Sequence, residues 1–97
     1  MGKQGSQPDR KALQLARQVQ RALTFALAET GDDLLLEAYI EDVKPAPDAN
    51  HLLVSVRGDG DPIALLAALH EHTGRLRSAV AEAITRRKAP ELAWQIV

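Results

Sequence analysis

From Asp9 onward the apolar residues Ala12, Ala16, Val19, Leu23, Ala26 and Leu27 recur every three or four positions. That spacing collects them on one stripe of an α-helix. Pro8-Asp9 supplies the start signal, and Gly31 supplies the stop. The period then drops to two. In "LLLEAYIEDV" (34–43), Leu34, Leu36, Ala38 and Ile40 are expected to face a core, with Glu37, Tyr39 and Glu41 outward. "KPAPDAN" (44–50) is turn chemistry, two prolines followed by Asp and Asn. "HLLVSVR" (51–57) alternates again, with Leu52, Val54 and Val56 inward, so the two segments predict a hairpin with a longer connection.

"GDGD" breaks the second strand, and Asp61-Pro62 opens another helix with an N-cap and a first-turn proline. Its stripe is Leu65, Leu66 and Leu69; past Gly74 a third helix carries Leu76, Val80, Ala83 and Ile84. A glycine inside a helix costs about 1 kcal/mol relative to alanine. The two stripes need not share a straight axis, which fits a kink at Gly74. Ala89-Pro90 closes the helix, and "ELAWQIV" (91–97) reads as a last strand with Leu92, Trp94 and Ile96 inward. The order α-β-β-α-α-β predicts an α+β domain with a small three-stranded sheet and its helices on one face. Residues 1–8 are expected to form a flexible tail ahead of one domain spanning 9–97.

Composition narrows the function classes. The 97 residues are 45% apolar and 26% charged, ordinary values for one globular domain. A net charge of −1 means that any nucleic-acid site must be a local patch. With no cysteine there is neither a disulfide framework nor a thiolate metal site. No apolar run approaches the ~18 residues of a membrane span, and "MGKQGSQPDR" lacks the apolar centre of a secretory leader. A soluble cytoplasmic protein with no membrane partner is the expectation.

Cations cluster between residues 75 and 88, where Arg75, Arg77, Arg86, Arg87 and Lys88 face the single acid Glu82. Such a cluster can follow a phosphate backbone; it also reads as solvated helix surface, with Glu82 and Arg86 forming an ordinary i,i+4 pair. A second strip, Arg10, Gln14, Arg17, Gln18 and Arg21, lies opposite the apolar stripe of the first helix. It is either an RNA- or protein-facing surface or the wet side of an amphipathic helix. Phe25 falls near this strip by helical angle, to stack on a base or to pack against the loop at Gly31. Glu37, Tyr39 and Glu41 on the first strand repel phosphate.

Catalytic and metal chemistry find no footing. His70 and His72 are two apart, the wrong spacing for shared ligation from a helix, and His51 lies in the hairpin. Asp32-Asp33 lacks a partnering base or nucleophile. "RGDGDP" (57–62) has no P-loop lysine, and its RGD tripeptide comes without an export signal. No enzyme activity, metal or cofactor is expected.

Three segments carry a family likeness: "RQVQRAL" in the first helix, "PDANHLLVSV" across the hairpin, and "GRLRSAVAEAITRRKAPELAW" at the end, with Leu76-Arg77 and Pro90-Glu91-Leu92 the most telling. Their order and spacing resemble the ribosome-binding factor A family, which has a type II KH-like fold, over roughly residues 9 to 96. Typical KH domains clamp a nucleic-acid backbone with a Gly-x-x-Gly loop. The resemblance implies instead an Ala-x-Gly kink, here His72, Thr73 and Gly74, with the glycine kept and the alanine replaced. It further implies a non-enzymatic maturation factor that binds the small (30S) ribosomal subunit and its 16S rRNA during late assembly and rRNA processing. The expected partners are that subunit, its rRNA and ribosomal proteins, met by a monomer. On this reading Arg75, Arg77, Arg86, Arg87 and Lys88 contact RNA, followed by Arg17 and Arg21. The alternative is a KH-like protein-interaction module that has lost RNA binding, favoured by the acidic strand face, the missing Gly-x-x-Gly and the net charge of −1.

Overall fold

The computed structural model describes residues 10–46, 50–84 and 89–97. The predicted tail (1–8), part of the hairpin connection and Arg86, Arg87 and Lys88 lie outside the described residues. Helix α1 (Arg10–Glu29) is followed by a short α2 (Asp33–Leu36), strands β1 (Tyr39–Pro45) and β2 (His51–Arg57), helices α3 (Pro62–Glu71) and α4 (Thr73–Ile84), and β3 (Glu91–Ile96). The sheet order is β1-β2-β3, with β1 antiparallel and β3 parallel to β2. The fold is therefore α+β with a three-stranded sheet, as the sequence predicts, and the structure adds that the sheet is mixed.

The stripe of α1 is buried as its periodicity requires: Ala16, Val19, Leu23, Ala26 and Leu27 all lie in the core. They meet Leu52, Val54 and Val56 from β2, Leu65 and Leu69 from α3, and Leu76, Val80 and Ile84 from α4. Leu92, Trp94 and Ile96 of β3 take the inward phase but stay half-buried, packed against that core.

One element departs from the sequence reading. Residues 33–36 form a helical turn rather than the start of a strand, and the strand begins only at Tyr39. The cause is local. The Thr30 hydroxyl donates to the Leu27 carbonyl at 2.9 Å, and Gly31 then adopts φ +77°, the left-handed backbone that favours glycine. Asp32 next caps α2, its carboxylate accepting from the Leu34 N–H at 3.0 Å. The turn drives Leu35 fully into the core and leaves Leu34 and Leu36 exposed, the reverse of the expected phase. Ile40 faces inward as expected. A register shift between Ile40 and Asp42 then lets Val43, three residues on, be the next inward side chain. At the same irregularity, the Gln20 side-chain amide on α1 donates to the Ile40 carbonyl at 3.1 Å.

Candidate nucleic-acid interface

The bend between α3 and α4 is built by two consecutive residues, His72 and Thr73. Asp61 caps α3 through the Ile63 N–H at 3.0 Å, and Pro62 occupies the first turn. At the far end His72 leaves helical geometry, with φ −99° and ψ 9°. Its N–H donates to Ala68 at 3.1 Å and its carbonyl accepts from the Leu76 N–H at 3.0 Å, so one residue ends α3 and begins α4. The His72 imidazole reaches Asp32, Nε2 to Oδ2 at 3.4 Å, tying the bend to the cap of α2. Thr73 donates its hydroxyl to the Leu69 carbonyl at 2.8 Å and accepts from the Trp94 indole N–H at 3.3 Å. Trp94 thereby finds the polar partner that a partly buried indole needs, and β3 is fastened to the bend.

Gly74 is exposed, has no left-handed backbone, and a Cβ placed there meets nothing within 4 Å. Neither conformation nor crowding calls for glycine at this position; His72 and Thr73 make the contacts that hold the bend. Gly74→Ala is accordingly expected to raise the unfolding free energy by about 0.5–1 kcal/mol, read from the urea midpoint, by restricting the unfolded chain and improving helix propensity.

The arginines of α4 do not act together. Residues 75 and 77 are separated by about 200° around the helix. Arg75 is exposed and reaches the Glu29 carbonyl at the end of α1, at 3.4 Å. Arg77 is half-buried on the opposite side, donating to the Ala89 carbonyl at 3.3 Å and pairing with Glu91 at 3.0 Å. It braces α4 against the entry to β3. Arg77→Ala is expected to lower stability by about 1 kcal/mol, from a charged hydrogen bond and a partly screened ion pair. Arg75→Ala should stay within about 0.5 kcal/mol, and urea titration of the two variants checks the contrast.

On α1, Gln14, Arg17, Gln18 and Arg21 are all exposed along one side, and Phe25 continues that side with 67% of its surface open. Phe25 thus belongs to the open cationic face. Across the sheet, Arg57 is held by Glu41 through two hydrogen bonds, one of them 3.2 Å. The hydrogen bond and the carboxylate charge push the guanidinium pKa further up. Among the described residues no group of three or more His, Asp or Glu side chains could hold a metal ion. No described helix is long and apolar enough to cross a membrane.

Two helices meeting at a capped bend over a mixed sheet, behind a leading helix and a hairpin, define a type II KH-like domain without the Gly-x-x-Gly loop. More particularly, the chain resembles ribosome-binding factor A. The crystal structure of that factor from Thermus thermophilus superposes with a TM-score of 0.79 at 27% identity, covering 88% of this chain and 94% of that one. A homology model of the Thermus thermophilus factor, fitted into a cryo-electron-microscopy map of a 30S complex, gives a TM-score of 0.70 at 28% identity over 82% of this chain and 88% of that one. The solution structure of a Thermotoga maritima protein, a candidate ribosome-binding factor A, shares the fold with a TM-score of 0.78 at 22% identity over 94% and 91% of the two chains. No protein-family model matches the sequence. No curated protein matches it either.

Proposed function

We propose that this protein is a member of the ribosome-binding factor A family: a non-enzymatic maturation factor that binds the small ribosomal subunit and its rRNA during late assembly. The observation that carries this reading is the likeness to the Thermus thermophilus factor over 88% of the chain. The factor in the 30S complex has the same fold, which supports the small subunit as the partner. Binding energy alone does the work: the domain holds an rRNA conformation and leaves when that conformation matures. Among the described cations, Arg17, Arg21 and Arg75 are exposed and available for phosphate, whereas Arg77 is engaged within the fold. Arg86, Arg87 and Lys88 are assigned to the same contact on charge alone.

Co-sedimentation with purified small subunits, mature and immature, tests this function. Binding to the immature subunit in preference to the mature one is the expected outcome. Failure to bind either at low salt sinks the reading, and leaves a KH-like module whose partner is a protein.

A further inference from the structure

We propose that the groove between α1 and α4 around Phe25 binds one unpaired RNA base, with the adjoining phosphates on Arg17 and Arg21. The site rests on the RNA-binding reading above and adds to it a position and a base class. Phe25 is the only phenylalanine of a chain poor in aromatics, and it stands two-thirds exposed near the C-terminal end of α1. Burial of such a ring stabilises by about 1.5–3 kcal/mol, yet no described element covers it.

The surroundings specify the occupant. On one side the ring borders an open, shallow depression on α1 shared with Arg17, Gln20, Arg21 and Thr24. On the other it overlooks a trough floored by Ala22, Ala26, Ala79 and Ala83, whose small side chains leave the ring free to stack. Arg21 and Arg17 sit one and two turns before Phe25 on the same side of α1, and among the described residues neither has an ion-pair partner. A flat apolar platform beside two unpaired guanidiniums matches a base with its phosphates, because stacking and backbone charge are the two parts of single-strand recognition.

Charge also sets an orientation. Helix α1 carries no acid before Glu29, so a phosphate chain lies along its Arg17–Arg21 half. Glu29 from α1 and Glu82 from α4 both line the trough itself. Carboxylates repel phosphate but accept hydrogen bonds from exocyclic amino groups. The base over Phe25 therefore projects toward them, and a base with an exocyclic amino group (adenine, cytosine or guanine) is preferred to uracil.

The test uses the full chain and short unstructured oligomers of adenosine, cytidine and uridine. The single phenylalanine gives one set of ring resonances, and these are expected to move upfield on addition of oligoadenosine. Phe25→Ala should weaken binding by about 10- to 100-fold, the range of one base–aromatic stack. Phe25→Trp should retain affinity, and thermal melts should stay unchanged because the ring is exposed. Oligouridine should bind several-fold more weakly than oligoadenosine; equal affinities overturn the orientation toward the two carboxylates. RNA binding with an unmoved ring and an inert Phe25→Ala overturns the site. So does a ring that moves only with protein concentration or with a ribosomal protein, which makes the groove a protein interface. Loss of oligomer stacking with small-subunit binding intact rejects this site alone. Stacking without any small-subunit binding rejects the proposed function and leaves the site standing.

Discussion

Replacing Leu35 with alanine is expected to lower the unfolding free energy by about 3 kcal/mol, measured by urea denaturation. Leu35 is fully buried, and truncating a core leucine costs its transfer free energy plus that of the cavity left behind. Leu34→Ala and Leu36→Ala should each cost less than about 1 kcal/mol, because both side chains are substantially exposed. The contrast is diagnostic. In a strand beginning at residue 34, positions 34 and 36 would be the sensitive ones and 35 the tolerant one. A four-residue helix has almost no stability of its own, so the packing of Leu35 and the Asp32 cap are what hold it. A Leu35→Ala cost near that of its neighbours would remove the assignment of α2.

Salt is expected to weaken the proposed small-subunit complex steeply. Each neutralised phosphate contributes a slope of about −0.7 to −0.9 in log affinity against log salt. Arg17, Arg21 and Arg75, if each meets a phosphate, alone give a loss of about 20- to 40-fold between about 50 and 200 mM salt. The double variant Arg17→Ala/Arg21→Ala should flatten the slope by about 1.4–1.8. Filter binding or sedimentation over a salt series measures both quantities. A slope near zero in the parent protein would instead indicate an interface made with ribosomal protein. An unchanged slope in the double variant would take α1 out of the contact.

The sequence exposes most of this fold because several independent signals coincide. Asp61-Pro62, the inward phase of Leu52, Val54 and Val56, and the stripe of α1 each satisfy propensity and pattern at once. Leu34-Leu35-Leu36 does not, since three consecutive leucines fit a period of two and a helical turn equally well. The deciding contribution comes from Gly31 and Asp32, which turn the chain and cap it. At the bend, the residues that matter were visible as types, but their partners were not. Thr73 meets Trp94 across 21 residues, and His72 meets Asp32 across 40. The basic cluster shows the same limit. Composition counts Arg75 and Arg77 as equal cations, while Glu91 and the Ala89 carbonyl, brought beside Arg77 only by folding, set them apart. Phe25 was ambiguous because helical angle places it near Arg21 without saying whether another element covers it.

The parallel pairing of β2 with β3 has a consequence for how the chain is made. His51 registers with Glu91 and Val56 with Ile96, a constant offset of 40 residues bridged by α3 and α4. The hairpin partner of β2 is already in place from the N-terminal side, but its second partner is synthesised only after α3 and α4. Until β3 arrives, β2 has an open edge, the kind of surface that recruits stray strands. Closing the sheet then waits on a long-range contact, a slow class of folding event. The brace from Arg77 to Glu91 and the Thr73–Trp94 hydrogen bond both land on this late strand. Emergence of β3 from the translating ribosome is therefore the step that completes the sheet and fastens the bend.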